Sequence, residues 1–159
     1  MRRLPAMRLA FSCFLLLALT RSAAAQATTS TTSTTTPLNS AVGSSCSPEL
    51  VDVTGIVHLV RHTTQNSQGL VSQIVQLNAS GIGVGQISGQ TYVFTQSSHE
   101  VFNSQPPALE FTMVETIHLI RAGEAPQRDD FRLRLIVHVT INENGDMTAQ
   151  VNSFERICD

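Results

Sequence analysis

From about residue 50 onward, apolar and polar residues alternate with a period of two, and small clusters of Gly, Asn, Ser and Pro interrupt the alternation at intervals. β-Branched and aromatic side chains fill the alternating runs, the composition of half-buried strands joined by turns. The pattern predicts strands over 53–63, 70–78, 82–87, 91–95, 100–103, 109–121, 131–141 and 147–154. The clearest run places Phe131, Leu133, Leu135, Val137, Val139 and Ile141 on one face and Arg132, Arg134, Ile136, His138 and Thr140 on the other. Such a strand buries one side and wets the other. No stretch carries a 3.6-residue period over three turns, so the 48–159 segment is expected to be an all-β domain of about eight antiparallel strands. Its edges need hiding, by closure into a small barrel, the expected solution, or by folding into a two-sheet sandwich.

Two segments share one spacing. His62, Thr64, Asn66, Gly69, Ser72 and Val75 are matched by His138, Thr140, Asn142, Gly145, Thr148 and Val151. An Asn-x-x-Gly between two alternating runs is hairpin chemistry, because Asn caps a turn and Gly adopts the positive φ that closes it. Asn66 with Gly69 and Asn142 with Gly145 are therefore expected to close equivalent hairpins.

The second copy continues into Val151, Phe154 and Cys158. In this the domain resembles a group of uncharacterised exported bacterial proteins with a His-x-Thr-x-Asn-x-x-Gly hairpin near the C-terminus, then Val-x-x-Phe and a closing cysteine. The resemblance also touches the Gly-rich stretch from Asn78 to Tyr92. It implies an exported β-domain and no assigned activity.

The N-terminal third obeys other rules. Arg2, Arg3 and Arg8 precede an apolar run over 9–19 and the small residues Ser22 to Ala25, the three-part layout of a secretory signal. Residues 1–25 are read as a cleavable signal peptide cut after Ala25, with Ala27 as the alternative. The run is well short of the roughly 20 residues that span a bilayer, so no transmembrane segment is expected after processing. Residues 26–47, almost wholly Thr and Ser at first, show no apolar periodicity and are read as a flexible tether. Glycosylation of that tether, or of the Asn78-Ala79-Ser80 sequon, depends on the host.

Loss of Arg2, Arg3, Arg8 and Arg21 with the signal reduces the ten basic residues to six, against twelve acidic ones. An acidic chain lacks the clustered positive charge that holds a phosphate backbone, which argues against nucleic acid as a partner. The sequence contains no lysine, which excludes Schiff-base catalysis and a phosphate-loop amine. After processing only Cys46 and Cys158 remain, bracketing the foldable region. In an oxidising, periplasmic or extracellular compartment they are expected to form a disulfide.

The remaining candidates for chemistry are sparse. His58 and His62 share a strand face but stand about 13 Å apart at roughly 3.3 Å per residue, too far to share an ion. A metal would need His118 or His138 from neighbouring strands, so none is expected. Gly81-Ile82-Gly83-Val84-Gly85 lacks the following helix of a dinucleotide fingerprint and reads as a strand closely approached by another backbone. No cofactor is expected. Ser98-His99-Glu100 lines up three catalytic residue types, but adjacent side chains on a strand point apart, and the segment reads as a turn.

Three functions fit these observations. One is a non-catalytic module that binds an apolar small molecule or an envelope component. Another is a small β-barrel isomerase, cyclase or hydrolase using His and Glu. The third is a structural envelope protein. A pocket that brings His58 or His118 to Glu115 would favour catalysis, and an apolar cavity without buried titratable groups would favour binding.

Overall fold

A computed structural model describes residues 26–43, 46, 48–105, 107–123 and 130–158. The expected signal peptide lies outside the described residues. The chain forms seven strands: β1 (Thr28–Gly43), β2 (Leu50–Gln65), β3 (Val71–Gly85), β4 (Thr91–Gln105), β5 (Ala108–Arg121), β6 (Phe131–Ile141) and β7 (Met147–Cys158). They make one antiparallel sheet in sequential order, β1 to β7.

Three expectations are corrected. First, the sheet is a single open one: no backbone ladder joins β1 to β7 among the described residues, so neither the barrel nor the sandwich forms. In an antiparallel meander the first and seventh strands run the same way. Direct closure would therefore need a parallel pair in a sheet whose other ladders are all antiparallel.

Second, there are seven strands, not eight, and most are longer than expected, although β6 has the expected bounds. The polar stretches near residues 78–81 and 96–99 are internal to β3 and β4, because lateral partners satisfy them. Gln96 Nε2, for instance, donates to Glu115 Oε1 at 2.6 Å. Ser98-His99-Glu100 is thus a strand segment and not a turn.

Third, most of the expected tether is β1, paired with β2 from Thr28↔Gln65 to Gly43↔Leu50. Threonine is β-branched and suits extended backbone even where both faces are wet. The strand is held by its hydroxyls, with Thr31 Oγ1 2.8 Å from His62 Nδ1 and Thr35 Oγ1 3.0 Å from His58 Nδ1. Leu38 and Val42, four residues apart and hence on one face, add packing against the core. Pro37, which lacks a donor, is tolerated on this edge strand.

The core lies on one face and at one end. Val51, Val53, Ala79, Tyr92, Phe94, Leu119 and Phe131 are buried, Val51 and Leu119 completely. A single sheet can bury one face only by curling around it. A Cβ placed on Gly83 would meet Val51 Cγ1 at 2.5 Å and Leu119 Cδ1 at 3.5 Å, so side chains from β2 and β5 converge over β3. The curl carries the two edges toward each other at this end, where Cys46, just past β1, is bonded to Cys158 at the end of β7 with Cα atoms 5.4 Å apart. Each large apolar side chain buried here contributes about 1.5–3 kcal/mol, a modest total from seven residues.

The two Asn-x-x-Gly turns have the same geometry. Asn66 Oδ1 accepts from the amides of Gln68 and Leu70, both at 3.0 Å, and Asn142 Oδ1 accepts from those of Asn144 and Asp146, both at 2.9 Å. Gly69 and Gly145 each have φ of 83°. The likeness extends backward by one strand. His62 and His138 each place Nδ1 2.8 Å from a threonine directly opposite on the preceding strand, Thr31 on β1 and Thr112 on β5. Each histidine thus ties its hairpin to the strand before it and not to the hairpin's own return strand.

Candidate functional site at the open mouth of the sheet

Strand alternation divides the polar residues between two faces. The register that puts Tyr92, Phe94 and Leu119 on the concave side also puts Glu100 and Glu115 there. By the same parity all five histidines, His58, His62, His99, His118 and His138, lie on the convex side. The His–Glu convergence that would favour catalysis does not form: neither His58 nor His118 shares a face with Glu115. Among the described residues no group of three or more His, Cys, Asp and Glu side chains could hold a metal ion.

The disulfide end of the concave side is filled. Glu49, buried immediately before β2, accepts from the amides of Ile87 at 2.7 Å and Ser88 at 2.9 Å and from the Ser88 hydroxyl. These donors, the Ser88 hydroxyl foremost, together with the Arg121 guanidinium, hold its carboxyl below the usual glutamate range. A Cβ on Gly85 would strike the Glu49 carboxylate at 2.5 Å, so this glycine is where the carboxylate fits. Asp130, also buried, accepts from the Arg121 amide at 2.8 Å. These groups fasten the 85–90 turn and the start of β6.

The opposite end is open. Phe102, Phe111 and Val139 stand in one cross-strand row over β4, β5 and β6, Glu100, Met113 and Val137 form the next row inward, and Ser104, Leu109 and Ile141 form the row at the rim. All nine side chains are only partly buried. At this end of the sheet lies a cleft of about 350 Å³ lined by Leu70, Asn103, Gln105, Ala108, Leu109, Glu110, Thr140 and Ile141; strand parity puts Leu109 and Ile141 on the concave face and Asn103, Gln105, Glu110 and Thr140 on the convex one, so the cleft wraps around the end of the sheet. The Ser72 hydroxyl donates to Asn103 Oδ1 at 2.8 Å, and Asn103 Nδ2 donates to Glu110 Oε2 at 3.4 Å. On the concave face the apolar rows carry the polar Glu100 and Ser104, and an apolar trough with a few polar groups is the usual form of a small-molecule site.

The turn residues Asn66, Gly69, Asn142 and Gly145 lie at this same end, where their hairpins frame the mouth without lining the cleft. Cys46 and Cys158 lie at the far, filled end. Sequence reading did not single out the trough residues. Their alternation is visible in the sequence, but the rows depend on the register between β4, β5 and β6, which no local signal fixes. Comparison with protein-family models, with curated proteins and with solved structures finds no match.

Proposed function

We propose that this chain is an exported, non-catalytic binding module that holds an apolar or amphipathic small molecule in the open half of its curled sheet. The observation that carries this reading is the contrast between the two ends of one concave face. At the disulfide end Val51 and Leu119 are fully buried by their neighbours, whereas at the open end Phe102, Phe111, Met113, Val137 and Val139 stay partly exposed. A ligand entering there removes about 25 cal/mol of unfavourable hydration per Å² of apolar surface it covers. Glu100 and Ser104, on the same concave face, would orient a head group. The placement of the histidines on the other face supports binding over acid–base catalysis.

The test is native mass spectrometry of the disulfide-intact protein recovered from an exporting host, paired with titration of a fluorescent fatty-acid analogue. Retention of a small apolar molecule, and saturable probe binding that Phe111→Glu abolishes while the fold survives by circular dichroism, is the expected result. A protein that emerges empty and gives no saturable probe signal overturns the reading.

A further inference from the structure

A second cleft, unconnected with the trough, lies on the convex face over the middle of β3, β4 and β5. Its volume is about 350 Å³, and its lining holds Gln76, Asn78, Ser97, His99 and Thr116 beside the apolar Val114, with no carboxylate and no guanidinium among the lining residues. We propose that it binds a neutral sugar, one residue or two of a glycan chain.

Register sets the geometry. Asn78, Ser97 and Thr116 form one cross-strand row, and Gln76, His99 and Val114 form the next. By parity all six project from the convex face. Opposed side chains on neighbouring strands sit about 5 Å apart, and those two apart along a strand about 6.6 Å. The six make a patch of two rows by three, the footprint of a sugar ring or two laid on the sheet.

What these side chains offer decides the class of ligand. In several other places on this face polar side chains satisfy one another across the strands: Thr31 with His62, Thr35 with His58, Ser72 with Asn103 and Thr112 with His138. Among the described residues no hydrogen bond joins the side chain of Gln76, Asn78, Ser97, His99 or Thr116 to another residue, so their capacity is open to a ligand. Amides, hydroxyls and a neutral imidazole each both donate and accept, whereas a carboxylate only accepts and a guanidinium only donates. A sugar hydroxyl also does both, and finds a partner here whichever way its proton points. An ionic ligand meets no opposite charge in the lining, and a wholly apolar one would cover five polar groups without replacing their water. Val114 supplies an apolar contact for the C–H face of a ring. The trough and this cleft lie on opposite faces of β4 and β5, so failure of one reading leaves the other standing.

The test is a titration of the disulfide-intact mature chain, unglycosylated at Asn78, followed by the NMR resonances of the Gln76 and Asn78 side-chain amides and of the His99 ring. The probes are neutral trisaccharides of glucose, galactose, mannose and N-acetylglucosamine, with glycerol as the unspecific polyol and a galacturonic acid trisaccharide as the charged counterpart. The expected result is saturable shifts at these residues with at least one neutral trisaccharide, at lower concentration than with the acidic one. Asn78 is exposed, so Asn78→Ala leaves the core intact and should weaken binding of that trisaccharide about tenfold, the loss of its amide hydrogen bonds. The backbone amide spectrum reports whether the variant keeps the fold. Linear shifts no larger than those from glycerol with every neutral trisaccharide, tighter binding of the acidic one, or an Asn78→Ala protein that folds and binds like the parent overturns the proposal.

Discussion

Gly55 on β2 and Gly81 on β3 stand directly opposite each other, and each occupies space that a Cβ on the other would need. A Cβ on Gly55 would lie 2.6 Å from Gly81 Cα and would overlap the Ser80 carbonyl oxygen. One on Gly81 would overlap the Thr54 carbonyl oxygen and lie 3.1 Å from Gly55 Cα. These atoms are backbone and cannot rotate away. The two strands thus approach more closely here than side chains permit, where the sheet curls over its core. Gly81→Val should destabilise the domain by about 3 kcal/mol or prevent folding, as forced overpacking does. Urea denaturation measures it, and a loss under about 1 kcal/mol would show that the strands can separate at little cost.

Glu49 gives the fold an acid dependence. Its carboxyl is held below the ordinary glutamate range by the Ser88 hydroxyl, by the amides of Ser88 and Ile87, and by Arg121. A group with a lowered folded-state pKa contributes stability that is fully present above its unfolded value, near 4.3, and is lost as pH falls through the folded value. Glu49→Gln should be less stable than the parent at neutral pH, and the difference should shrink as the solution is acidified below about pH 4. Thermal melts of both proteins from pH 7 to pH 2 give the comparison. Parallel curves would show that the acid dependence does not come from Glu49.

The disulfide spans a sequence separation of 112 residues and joins the regions where the two edges of an open sheet meet. By chain entropy, a loop of this length contributes about 4–5 kcal/mol, with measured values often lower. Replacing Cys46 and Cys158 with serine together should cost a large part of that. It should also raise amide exchange first at the disulfide ends of β1 and β7, the strands with a neighbour on one side only. Uniform exchange across the sheet would mean that the bond does not hold the curl.

Alternation made the strands from β2 to β6 legible because one face of each is drier than the other, and β7 was legible from composition although it is exposed on both faces. It failed for β1, where residues 28–36 are exposed on both faces and the only apolar markers, Leu38 and Val42, come late. It also split β3 and β4, since small and polar residues such as Asn78, Gly81 and Gln96 resemble turns until their cross-strand partners are known. The trough was out of reach for a related reason. Phe102, Phe111 and Val139 become one surface only through the pairings Phe102↔Phe111 and Phe111↔Val139, which register sets and composition does not. Glu49 carried no local signal either, because its partners lie nearly forty residues away in the 85–90 turn.

The duplicated turns allow a comparison in which local strain is equal and context is not. Gly69 and Gly145 share a φ of 83°, their amides donate to the carbonyls of Asn66 and Asn142 at 3.1 and 3.0 Å, and a Cβ on either would meet nothing within 4 Å. A β-branched residue therefore meets backbone strain alone at both positions, about 1–3 kcal/mol. The strands that leave the two turns differ. Gly69 leads into β3, paired on both sides by β2 and β4, whereas Gly145 leads into β7, an edge strand exposed along its whole length and preceded by a register shift at Thr140/Ile141. Strain at Gly69 cannot be released without breaking two ladders, so Gly69→Val should lower global stability by nearly the full amount. Strain at Gly145 can be relieved by fraying of the first residues of β7, while Cys158 keeps the strand's other end in place. Gly145→Val should therefore cost less in denaturant midpoint and instead speed amide exchange over roughly residues 142–150. Equal midpoint losses with unchanged exchange in β7, or a larger loss at Gly145, would show that the edge strand is held as firmly as the interior.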